Sequence, residues 1–423
     1  MHRGRGGSLG ALVLAVVCAC GGAGVEATSG ASSSSSGAPG EGSGAASPTT
    51  GALAGEATSG SSTAGESEAA GTTGGGTTLA DASTSETTSG DATTGEAAPF
   101  VVYLDPGGDD ARGGLTPADA VLTLARAQAI VEAAAPERDV EVRIAQGTYV
   151  GQSVKWTYYH PVFRVAFMPV DYAMGDGIDD IAGRPVFDGD GASSWLSLEV
   201  AEGERTGLEF YYLQVERYLA TGLAFKGDRN DPDGGWNGGN RVFGMTFTRI
   251  GSKHVAGEQG YGALDLVNSR DNDIRNNHFV AVENDPPTDE LMHAVYLAHT
   301  SSGNVIVGNA FKNVSGDPIR ARDGSDANVI EGNTFERTGI AAFYSDWYCD
   351  PDTNPNCTKE GGECPSWRNE FRDNELHCGY DGGDIATFAY IQGGADYVPP
   401  PCPDHFADGW KRLSTSGNVK SCP

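Results

Sequence analysis

The chain has 423 residues, with 57 acidic against 28 basic side chains and a formal net charge of -29. From residue 100 onward 48 acidic and 26 basic residues remain, a balance of -22 that argues against unaided binding of nucleic acid or of an anionic membrane surface. Length allows about two or three domains, but residues 21–99 are almost wholly Gly, Ala, Ser, Thr and Glu and bury too little apolar surface to offset chain ordering.

His2, Arg3 and Arg5 give a basic start, and residues 9–17 form an apolar run too short to cross a bilayer. Together they predict a secretory signal peptide over 1–19. Val17-Cys18-Ala19-Cys20-Gly21 resembles a bacterial lipobox. That resemblance implies cleavage before Cys20, lipid on Cys20 and, with Gly21 in place of Asp, an outer-membrane anchor facing the periplasm or the cell surface. An ordinary signal peptide with two incidental cysteines is the alternative. Residues 20–99 then read as a disordered tether, spanning on the order of 50 Å as a flexible coil.

A folded domain is expected over 100–390, followed by a Cys-containing cap over 391–423. One motif recurs, as Asn240-Arg241-Val242-Phe243-Gly244-Met245-Thr246-Phe247 and again from Asn272, Asn304, Asn328 and, more weakly, Asn369. The starts are 32, 32, 24 and 41 residues apart, one bare coil and several with loop insertions. Within each copy apolar residues alternate as in a strand. Gly, Asn or Asp stands at each corner, where a left-handed backbone is tolerated. Stacked at one strand spacing, roughly 4.8 Å, equivalent residues lie above one another. Asn then pairs with Asn, and Phe247, Phe279, Phe311 and Phe335 form an internal stack. A leucine-rich repeat is excluded by the lack of Leu-x-x-Leu-x-Leu.

These repeats resemble those of right-handed parallel β-helix proteins, the pectate-lyase-like superfamily. The head is similar too: Tyr103-Leu104-Asp105-Pro106, a helix-like 118–134, Val142 to Tyr149, and Arg184-Pro185-Val186-Phe187-Asp188-Gly189. The fold class implied is all-β, a right-handed parallel β-helix solenoid with an N-terminal capping helix and a disulfide-rich C-terminal region. Because this fold hosts lyases, hydrolases, epimerases and inert adhesins, it does not by itself assign chemistry. Cys349, Cys357, Cys364, Cys378, Cys402 and Cys422 are an even set in an exported chain and predict disulfides, with 15 connectivities open. Their spacings lack the Cys-x-x-Cys pairs of a zinc cluster.

Counting back from the motif Asn, and forward from Phe335, predicts an outward column of Leu264, Tyr296, Arg320 and Tyr344. A second holds Leu266, Ala298, Arg322 and Asp346, with Ala263, Val295, Ile319 and Phe343 inward. His299 and Asp323 share a further column, as do His293 and Asp317. Such a face concentrates proton-transfer and anion-binding groups. It suits a lyase acting on extracellular polysaccharide, with His293 or His299 as base, Arg320 or Arg322 neutralising a carboxylate and Tyr296 as acid. Asp317, Asp323, Tyr344, Asp346 and Lys253 are expected to bind substrate. A hydrolase needs two flanking carboxylates, which Asp317, Asp323 and Asp346 offer. An epimerase, or a non-catalytic carbohydrate-binding or adhesive solenoid, uses the same face. In the bland alternative His and Tyr stack structurally, and the Arg–Asp pairs are plain ion pairs. Calcium is the cofactor the resemblance admits; residues 228–234 offer oxygen ligands, but Pro232 falls where an acidic one belongs. A monomer is expected.

Overall fold

A computed structural model describes residues 97–177, 183–351, 357 and 362–422. The expected signal peptide, Cys20 and the tether lie outside them. Among the described residues no helix is long and apolar enough to cross a membrane.

The strands pair in parallel throughout and build three long sheets of 10, 9 and 8 strands, each containing one strand per coil. This is a right-handed parallel β-helix. The recurring motif spans two of its walls. In the copy from Asn304, Val305–Val307 belongs to the first sheet and Ala310–Val314 to the second, with Gly308 and Asn309 at the corner between them. The residue before the second Asn, or before Met245 in the first copy, is Gly244, Asn276, Gly308, Gly332 or Asp373, with φ between 54° and 67° in all five coils. A left-handed step is required there, and Gly, Asn and Asp take it at least cost.

Two side-chain ladders run up the corners. Asn272 Oδ1 accepts from the backbone N–H and the Nδ2 of Asn240, at 3.0 and 2.9 Å. Asn304, Asn328 and Asn369 repeat the arrangement coil by coil. The second ladder is Asn277, Asn309, Asn333, Asn374 and Asn418. Each buried amide thus satisfies the coil before it, and all but the terminal Asn369, which donates to Ser325 O and the Tyr344 hydroxyl, are satisfied by the coil after. Inside, Phe247, Phe279, Phe311 and Phe335 stack face to face with centroids 5.0, 5.1 and 4.8 Å apart, close to the strand spacing.

The entry end is covered by a helix, α1 (Leu124–Ala134), which buries Leu124, Ala127 and Val131. Thr123 caps it by accepting from Arg126 N. It is shorter than the expected 118–134, because a 3-10 turn, Pro117–Asp119, precedes it as a separate element. At the other end Leu413–Ser416 and Val419–Lys420 pair with the first and second sheets, so a coil forms within the stretch expected as a cap. Three disulfides, Cys349–Cys357, Cys364–Cys402 and Cys378–Cys422, resolve the open connectivity and fit an oxidising compartment. Arg412, 1% exposed, pairs with Asp346 inside the last coils.

Asn309→Ala removes the acceptor for two Asn277 donors and the donor to Ile274 O and Asn333 Oδ1. The expected loss is roughly 3 kcal/mol of unfolding free energy, read from denaturant titration. A loss under about 1 kcal/mol would show that water replaces the ladder.

Candidate functional site

The third sheet carries the candidate face. Its strands Gly262–Val267, His293–Ala298, Ile319–Arg322 and Tyr344–Trp347 pair in register. The outward column is Asp265, Tyr296, Arg320 and Ser345; one beside it runs Val267, Ala298, Arg322 and Trp347. Tyr296, Arg320 and Arg322 therefore face outward on one sheet as expected. Tyr344 and Asp346 do not. Tyr344 aligns with Leu264, Val295 and Ile319, lies fully buried, and its hydroxyl accepts from Asn369 Nδ2. Asp346 is equally buried, and Arg412 Nε and Nη2 reach its Oδ2 at 3.1 and 2.5 Å.

Corner length causes both corrections. Val314 to Ile319 is five residues, whereas the paired Thr338 to Tyr344 is six. Val295 to Asn304 is nine residues and the paired Leu264 to Asn272 is eight. One residue gained or lost in a turn reverses which side chains face inward. The same slip hid Asp265, which stands outward where Leu264 and Leu266 were expected. The signal was available: Asp265 sits between two leucines, and only the outward phase leaves both apolar neighbours inside.

Arg322 anchors the face. Its Nε and Nη2 meet the two Glu363 carboxylate oxygens at 2.7 Å each, and Nη1 donates to the Tyr296 hydroxyl at 2.8 Å. Trp347 lies beneath the guanidinium, 4.6 Å from the ring centroid. Glu363 comes from the disulfide-closed loop and also accepts from Cys349 N. Sequence reasoning missed Glu363, which lies in the inserted loop between the repeats at Asn328 and Asn369. Arg320 is less committed: Nε donates to Ser345 Oγ at 3.0 Å, and Nη2 lies 3.3 Å from Asp317 Oδ2. Asp317 Oδ1 accepts from Ala341 N and Ala342 N, bracing the lengthened corner.

The two histidines are held differently. His293 Nδ1 is 2.7 Å from the Asp317 carbonyl oxygen, so Nδ1 carries the hydrogen and Nε2 keeps a lone pair. Burial, with Arg320 nearby, pushes the His293 pKa well below its ordinary value, so the ring is neutral at pH 7. His293 is 2% and His299 7% exposed. His299 Nδ1 lies 2.9 Å from Asp323 Oδ2, and both residues adopt left-handed backbone at stacked corners. Burial raises the Tyr296 pKa despite Arg322, which keeps the phenol protonated. Burial likewise raises Asp265, whose Oδ1 has no hydrogen-bond partner among the described residues.

Lys253 stands in a different group. Its Nζ lies 2.7 Å from both Glu283 Oε1 and the Tyr380 hydroxyl, while His254 Nε2 reaches Glu283 Oε2 at 2.8 Å. Its ion pair with Glu283 and its contact with the Tyr380 hydroxyl tie it to the C-terminal loop, away from the face that holds Tyr296 and Arg320. The acidic turn at 228–234 spends its carboxylates on itself: Asp228 Oδ1 accepts from Asn230 N, and Asp231 Oδ1 from Gly234 N.

No protein-family model matches the chain, and no curated protein matches it. Solved structures similar to it include a rhamnogalacturonan lyase, at 13% identity and TM-score 0.45, covering 66% of this chain and 68% of that one. An alginate lyase from Paenibacillus sp. str. FPU-7 is 15% identical, with TM-score 0.45 over 71% of this chain and 95% of the other. Pectate lyase Pel9A is 12% identical, with TM-score 0.41 over 78% of each chain. At such identities the likeness concerns the coiled fold and does not reach the chemistry.

Burial pushes the Glu283 carboxyl up, but hydrogen bonds from His254, Lys253 and Tyr380 outweigh it and hold the pKa at about 2, against an ordinary 4.5. A depressed carboxylate stabilises the fold above its unfolded pKa and loses that contribution as pH falls through the folded one. The stability gap between wild type and Glu283→Gln should therefore be widest above pH 4.5 and close by about 3 kcal/mol towards pH 2. Denaturant titration across that range measures it; a pH-independent gap would contradict the clamp.

Proposed function

We propose that the chain acts on extracellular polysaccharide as a lyase that cleaves an acidic glycan by β-elimination. The observation that carries this reading is the convergence of Tyr296, Arg320, Arg322 and a neutral His293 on one sheet face. In this scheme Arg320 binds the uronate carboxylate and stabilises the enolate-like anion that forms when the α-proton leaves. His293 Nε2, with its lone pair available, takes that proton. Tyr296 accepts from Arg322, so its own O–H is left to protonate the leaving sugar oxygen as the C–O bond breaks. The product carries an unsaturated sugar end. Arg322, engaged by Glu363, positions the phenol rather than the substrate. Asp265 and Trp347 border the same face and would contact neighbouring sugars. The named activities of the similar structures agree with such a substrate, as do the three disulfides with an exported protein. Outer-membrane anchoring through Cys20 belongs to this proposal too.

A second reading, glycan binding without cleavage, is favoured by the near-complete burial of His293 and His299. A two-carboxylate hydrolase is less well supported, because Asp346 is sealed inside.

The decisive test is incubation with a panel of acidic glycans while following the absorbance of unsaturated ends. Tyr296→Phe should lower kcat about a hundred- to ten-thousand-fold with the fold intact, and Arg320→Ala should abolish turnover. Wild-type binding without cleavage selects the second reading. Because the His293 pKa is depressed and that of Tyr296 raised, the rate should stay flat through neutrality, with its acid limb below pH 6.5. An acid limb centred at or above 6.5 would remove His293 as base.

A further inference from the structure

The elimination scheme uses Glu363 only to hold Arg322 and leaves two buried neighbours, His299 and Asp323, without a role. His299, Asp323 and Glu363 are 7, 2 and 3% exposed, and one ligand atom from each lies within 4.8 Å of the others. Ligands of a tetrahedral ion with bonds of ~2.1 Å are about 3.4 Å apart, so the widest pair in this cluster needs to close by at most about 1.4 Å. His299 Nδ1 and Asp323 Oδ2, 2.9 Å apart, already have the spacing of adjacent ligands.

The cluster is held from three directions. His299 and Asp323 occupy equivalent corners of successive coils, with φ of 51° and 52°. Cys364 N donates to Asp323 Oδ1 at 3.2 Å, leaving Oδ2 towards the histidine. Glu363 is oriented by Arg322 and Cys349 N, much as outer partners orient the carboxylates of metal sites. The Cys364–Cys402 disulfide fixes its neighbour in the chain. Asp265 adds a further carboxyl on the adjoining strand, near enough for His299 to influence its charge. A cavity lined by Asp350, Pro351, Glu363, Pro399 and Cys402 reaches the Glu363 end of the cluster.

We propose that His299, Asp323 and Glu363 bind one divalent transition-metal ion, zinc or manganese. One imidazole with two carboxylates suits these ions, whereas calcium prefers an all-oxygen set. An ion bound at Nδ1 takes the place of the hydrogen bond between His299 and Asp323, and the ring hydrogen then sits on Nε2. The paired cysteines offer no competing thiolates. The site follows from the geometry alone and does not rest on the lyase reading.

The test is calorimetric titration of the chelator-treated full chain with zinc, manganese and calcium salts, without glycan. One zinc or manganese ion per chain should bind, with a raised thermal midpoint. His299→Gln and Asp323→Asn should each weaken binding at least a hundredfold while the circular dichroism spectrum is retained. Absence of binding overturns the proposal. So does zinc or manganese binding that survives His299→Gln, or uptake of calcium alone. Loss of lyase activity in Tyr296→Phe with metal binding intact separates this site from the catalytic scheme.

Discussion

The whole molecule depends on one side-chain amide accepting two hydrogen bonds from the coil below it. Asn309 illustrates the constraint: its Oδ1 satisfies both the backbone N–H and the amide of Asn277, while its own Nδ2 reaches Ile274 O and Asn333 Oδ1. An Asn out of step would leave buried donors without partners, at a cost of about 1–3 kcal/mol for each. The ladder therefore locks the first and second sheets into a common register. The aromatic stack follows from that lock, since Phe279, Phe311 and Phe335 can lie face to face only when their coils superimpose.

The third sheet is governed more loosely. Its strands are connected to the ladders through turns of unequal length, and they find register by pairing with one another and by burying apolar residues. Loop material enters here as well, including the segment bearing Glu363. The chemically diverse face thus sits on the wall whose connections vary, while the walls fixed by Asn remain repetitive. Positioning of Tyr296 through Arg322 and Glu363 ties that face to the disulfide-closed region rather than to the ladder.

Much of this was legible in the amino-acid order, for a physical reason. Asn, Gly and Phe at fixed offsets report corner geometry and core stacking directly, so the solenoid, its ladders and its capping helix could be read without coordinates. Tyr296, Arg320 and Arg322 were also legible, because their coils differ by a plain 24 residues. Tyr344, Asp346 and Asp265 were not. Their phase depends on a single residue in a turn; for Asp265 the flanking leucines carry the correct phase against the column count, whereas no local pattern shows whether the extra residue before Tyr344 bulges out or pushes the strand along. Glu363 was hidden for another reason: a loop closed by cysteines meets its partners through three-dimensional proximity, which spacing does not encode. The masking of Lys253 by Glu283 and Tyr380 is of the same kind, joining positions 127 residues apart.

The six-residue step from Thr338 to Tyr344 bears on how such a surface diversifies. Asp317 braces the extra length by accepting from Ala341 N and Ala342 N, so the turn absorbs it without disturbing the coils on either side. Deleting a single codon there would present a different set of functional groups to solvent from an otherwise identical polypeptide. In this architecture small insertions and deletions at the bends, more than point changes along the strands, are the economical route to a new specificity.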